Sequence, residues 1–142
     1  MSSPTMSPPL AHTEQGSRPR FFGLMKATTV FLATALLTQG ITAGQLIADE
    51  DDSHRHVHHA TGGVVSVALL LQIIAALLVW RVGRGPGRYA AVTLLMIVLT
   101  SVQFMLGSNG DVAVHVPLGV VLFGMGAVLM AQVWTTRPPR TG

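Results

Sequence analysis

Four stretches of this 142-residue chain contain no Asp, Glu, Lys or Arg: 27–48, 60–80, 89–108 and 112–134. Each is at least 20 residues long and rich in aliphatic residues. Crossing the hydrocarbon core of a bilayer takes about 20 consecutive apolar residues, because a helix rises only about 1.5 Å per residue. In lipid every backbone polar group must be satisfied within the segment, so each stretch is expected to be helical. Over the whole chain the charged fraction is 11%, against about 25% in soluble domains. These runs predict an all-α integral membrane protein and argue against a soluble enzyme. They also argue against a nucleic-acid binder, although the formal net charge is +3.

The charges between the runs are sorted by sign. Arg18, Arg20 and Lys26 precede the first run, Arg81, Arg84 and Arg88 separate the second from the third, and Arg137 and Arg140 follow the fourth. Asp49, Glu50, Asp51, Asp52 and Asp111 fall in the other two connections, with Arg55 as the one basic exception. The positive-inside rule then puts both termini in the cytoplasm and the acidic loops outside. Eight Arg against one Lys, with abundant Ala, Val and Gly, points to a bacterial GC-rich coding background and so to the inner membrane. A competing view takes the first run as a signal peptide ending near Thr42, Ala43 and Gly44, but the run stays apolar through Ile47 and Ala48.

Short connections make consecutive helices antiparallel neighbours, giving an up-down four-helix bundle over residues 21–136. Residues 1–20, rich in Ser and Pro, read as a disordered cytoplasmic tail, and 137–142 as a second tail. The chain has no cysteine, which removes thiolate metal sites, iron–sulfur clusters and disulfides. Gly83, Gly85, Pro86 and Gly87 form an inner turn. Gln39, Gln45, Gln72, Gln103 and Gln132 are expected to face inward and bridge helices, and Gly40 and Gly44 to allow close helix approach.

The two halves echo one another. The first holds Gln39, Gly44, an acidic stretch, then His58-His59-Ala60-Thr61-Gly62; the second holds Gln103, Gly107, Asp111, then His115-Val116-Pro117-Leu118-Gly119. His58 and His115 open the outer ends of spans two and four, which lie on a diagonal of an up-down bundle. Two neutral imidazoles placed so can ligate a haem iron from both sides. Gly62 and Gly119, one turn further on the same faces, leave room for a flat macrocycle beside each ligand. If Asp111 caps the fourth helix, Pro117 removes a hydrogen bond near His115; if His115 is itself near the cap, Pro117 is comfortable.

The pattern Gln103-Phe104-Met105-Leu106-Gly107, a short outer loop, then His115 resembles one four-helix half of haem A synthase. In that family the second helix opens with Glu-x-x-His-Arg-x-x-Gly. Here His58 and Gly62 match, His59 replaces the Arg and Arg55 replaces the Glu. With the acidic residue and the second half missing, the resemblance implies binding of haem b more than synthesis of haem A. Electron transfer, haem handling or support of a respiratory or haem-handling membrane complex would follow. No catalytic constellation is visible, so no independent enzyme activity is expected. The same loop supports another reading: His54, His56, His58, His59, Asp51 and Asp52 form an imidazole–carboxylate tract suited to a divalent metal such as zinc, copper or nickel. On that reading the chain is an accessory membrane protein that binds metal or nothing.

Overall fold

In a computed structural model, residues 21–49 and 51–136 are described. The two tail assignments, 1–20 and 137–142, lie outside them, as do Arg18, Arg20, Glu50, Arg137 and Arg140. Four helices account for nearly all the rest: α1 (Phe22–Ala48), α2 (Asp52–Leu77), α3 (Arg88–Ser108) and α4 (Val112–Thr135). All four are long and apolar enough to cross a membrane. The chain is an all-α, membrane-embedded four-helix bundle. α1 packs on α2 and α4, and α3 packs on the same two, so the helices close a ring with α2 and α4 on a diagonal.

The first three helices start earlier than their charge-free runs. α2 begins at Asp52, eight residues before the apolar run, so the expected eleven-residue connection shrinks to Asp49–Asp51. Asp51 takes the cap position and Asp52 the first turn, where carboxylates complement the positive end of the helix dipole. Polar residues outside lipid can continue a helix, which the charge count alone could not register. At the other end α2 runs into a π-helical turn, Leu78–Val82, closed by Gly83 N donating to Leu78 O at 2.9 Å. The chain then folds back so tightly that a Cβ on Gly85 would lie 2.7 Å from Val79 Cγ1. That close approach explains the glycine.

The packed core occupies one part of the bundle. Met25, Leu32, Ala68, Leu69, Ala75, Val79, Tyr89, Met96, Leu129 and Val133 are buried there. Around this end sit Lys26 over the Trp134 ring (4.8 Å), Arg81 over Trp80 (4.5 Å) and Arg88 over Tyr89 (5.1 Å). Tyr89 Oη also meets Thr136 Oγ1 at 3.0 Å. Aromatic rings beside cations suit the interface between hydrocarbon and water. Large apolar side chains elsewhere point outward, Val120 at 66% exposure and Leu70 at 58%, as a lipid-facing surface requires. The core closes at Gly126, where a Cβ would come within 2.8 Å of Leu36 Cδ1, so α1 and α4 touch closely there. Beyond Leu36, Val65, Thr100 and Leu122 the bundle stops being solid.

Candidate functional site

A cavity of about 890 Å³ opens at the histidine end of the bundle, lined by all four helices. Leu36, Val65, Leu122 and Phe123 supply apolar wall; Gln39, His58, Thr100, Gln103 and His115 supply polar groups. Pockets of roughly 300–1,000 Å³ with an apolar lining and a few converging polar groups are the usual form of cofactor sites. Gly40 and Gly44 line it from α1, and a Cβ at either would meet nothing within 4 Å. The expected close helix approach at these glycines is therefore corrected. No helix covers them; they widen the cavity, and the tight contact belongs to Gly126.

The two histidines meet across the diagonal. The ring centroids of His58 and His115 lie 6.2 Å apart with the planes inclined at 69°. Two imidazoles holding one metal ion, each at about 2 Å from the ligating nitrogen, have centroids about 6 Å apart, whatever the twist between the rings. Each ring is also anchored through its other nitrogen. His115 Nδ1 donates to the Gln103 carbonyl at 3.0 Å, while Gln103 Nε2 donates back to the His115 carbonyl at 2.8 Å. The Thr42 hydroxyl donates to Gln39 O at 3.1 Å, which leaves its oxygen to accept from His58 Nδ1 at 3.2 Å. The carbonyl fixes His115 as the Nδ1–H tautomer with its Nε2 lone pair free; in His58, Gln39 Nε2 lies 3.2 Å from both ring nitrogens, and the Nδ1–H form held by Thr42 is the one that offers Nε2 to a ligand. A ring nitrogen hydrogen-bonded to a carbonyl or hydroxyl is the usual support of a metal-ligating histidine.

Gln39 adds a competing contact. Its Nε2 lies 3.2 Å from His58 Nε2, and its Oε1 accepts from Thr61 at 2.5 Å. The amide thus donates to the lone pair a metal would use, and must withdraw before ligation. Gln103 Oε1 and Thr100 Oγ1, both on cavity-lining residues, are buried without a protein partner among the described residues. Gln39, Gln72 and Gln103 bridge helices as expected, Gln72 through Met25 Sδ at 3.4 Å. Gln45 and Gln132 are exposed instead.

The flanking glycines behave differently from expectation. A Cβ on Gly62 would meet Phe104 Cε1 at 3.2 Å, and one on Gly119 would meet Gln103 Nε2 at 3.0 Å. Both still line the cavity, but Phe104 and Gln103 lie close against them, and the emptier glycine face is that of Gly40 and Gly44 on α1. The sequence marked Gly107 as part of the repeat but not its role: a Cβ there would fall 2.9 Å from His115 Cε1. Its bare backbone seats the His115 ring. Asp111 does cap α4, its carboxylate accepting from Val114 N, so Pro117 lies inside the helix and leaves the Ala113 carbonyl without its helical donor.

The imidazole–carboxylate tract does not gather. Asp52, His54, His56, His58 and His59 lie along the first two turns of α2, and among the described residues no three His or acidic side chains converge as a metal site requires. Asp51 accepts from the Ser53 hydroxyl, a bond that holds its carboxyl below the usual carboxylate range, and His54 Nδ1 lies 3.2 Å from Asp49 O. Those contacts organise the start of the helix. No protein family, curated protein or solved structure matches this chain.

Proposed function

We propose that this protein binds one b-type haem at the histidine end of the bundle, with His58 and His115 as the two axial ligands. The observation that carries the reading is the pair itself: two imidazoles from diagonal helices, 6.2 Å apart, each tethered at Nδ1 and lining one cavity. The residues fit the group. Held by His58 and His115, the haem would supply one-electron transfer, or would be the cargo in haem delivery. The protein's part is to orient the two imidazoles through Thr42 and Gln103, and to exclude water with Leu36, Val65, Leu122 and Phe123.

The distribution of charge supports an orientation in a bacterial inner membrane with both termini in the cytoplasm. Trp80, Tyr89 and Trp134 beside Arg81, Arg88 and Lys26 would then lie at the cytoplasmic interface and the haem near the outer one. Such a protein suits a respiratory or haem-handling membrane complex. The test is a titration of the purified protein with haem. Wild type should develop a Soret band saturating at one haem per chain, and His58→Ala and His115→Ala should each weaken binding and shift the band. A wild type that stays colourless after haem-replete expression leaves only the accessory role, with or without a bound divalent metal.

A further inference from the structure

Arg55 is the one basic residue at the otherwise acidic end of the chain, and the cavity shows what it does there. It lies three residues before His58, on the same helical face, and lines the cavity alongside it. It forms no ion pair among the described residues, although Asp111 lines the same cavity from α4. The Asp111 carboxylate is directed to its own helix, accepting from Val114 N. An exposed guanidinium at the mouth of an apolar cavity, in no ion pair among the described residues, presents a site for a carboxylate brought by the ligand.

We propose that Arg55 selects the acidic form of the ligand, pairing at the cavity mouth with a carboxylate on a planar amphiphile whose apolar body lies inward over Gly40 and Gly44. This rests on the haem reading and specifies it: the ligand would be a dicarboxylic porphyrin with its acidic edge at the cavity mouth, beside Arg55. The glycine face gives the body its space, since a Cβ at Gly40 or Gly44 would meet nothing within 4 Å. Arg55 gives the head its counter-ion. Arginine suits this role better than lysine because its planar fork takes a carboxylate with two parallel hydrogen bonds.

The experiment compares haem with its dimethyl ester, which has the same iron and ring but no carboxylates, by absorbance titration into detergent-solubilised full-length protein. Wild type should bind haem about tenfold or more tightly than the ester, the discrimination expected of one charge-assisted hydrogen-bonded pair. Arg55→Gln should erase the preference by weakening haem alone, with the ester affinity unchanged; Arg55→Lys should keep part of it. Because Arg55 is exposed and the ester serves as an internal control of folding, loss of fold would be seen as loss of both. Equal wild-type affinities, or a preference that survives Arg55→Gln, would overturn the role of Arg55 while leaving axial ligation intact. Binding of neither compound by folded wild type would overturn both.

Discussion

Substituting Gly107 by Ala separates the stability of the bundle from the integrity of its site. Gly107 lies in the last turn of α3, where an added Cβ would fall 2.9 Å from His115 Cε1 and 3.2 Å from Nδ1. The ring cannot yield cheaply, because Nδ1 is held 3.0 Å from the Gln103 carbonyl. Moving it breaks that bond, a loss of about 1 kcal/mol. Replacing Gly by Ala in a helix returns up to about 1 kcal/mol, less near a helix end. The two nearly cancel, so the fold should hold its thermal midpoint within a few degrees. The site should not hold, since losing the hydrogen-bonded support of a ligating histidine typically costs about 10- to 100-fold in affinity. Gly124→Ala is the matched control: it lies in α4 away from the cavity lining, and nothing lies within 4 Å of its added Cβ, so it should leave His115 in place. Circular dichroism melting in detergent and haem titration read the two quantities separately. A Gly107→Ala protein that binds haem like wild type, or one that unfolds, would refute the reasoning.

Thr42→Val removes the acceptor for His58 Nδ1 and should weaken haem binding by about tenfold or more, whereas Gln39→Ala frees His58 Nε2 and should not weaken it; parallel titrations compare them. Both imidazoles must be neutral to ligate, so protons compete with the iron for both rings and binding should fall as the pH is lowered. The slope should exceed that of one proton, which a reversible Soret-against-pH titration measures. Gly126→Val forces a branched side chain against Leu36, 2.8 Å from the Cβ position, and should destabilise the bundle by about 1–3 kcal/mol, read as a lower melting midpoint.

The arrangement of charge made the architecture legible, since only helices of these lengths satisfy their backbones in lipid. The placement of His58 and His115 followed from antiparallel neighbours alone, and the rings indeed face each other from diagonal helices. Local geometry was less accessible. Charge-free windows mark hydrocarbon, not helix ends, so the helical tract from Asp52 to His59 read as loop. Glycine spacing says which faces lack side chains but not what fills them. Gly62 and Gly119 are covered by Phe104 and Gln103, while Gly40 and Gly44 stay open. The tethers at Thr42 and Gln103 arise from contacts between neighbouring helices, and a linear pattern does not reveal those. Gln39 and Gln103 nonetheless hold equivalent places, each touching the histidine of the helix that follows, which gives the echo between the two halves a structural meaning.

The central claim, that one iron sits between two histidines, is tested most directly by electron paramagnetic resonance of the ferric haem-loaded protein. Two imidazole ligands predict a low-spin six-coordinate signal in wild type, converting to high-spin when either His58 or His115 is replaced by Ala. A high-spin wild-type spectrum, or a low-spin signal that survives both substitutions, would contradict the account.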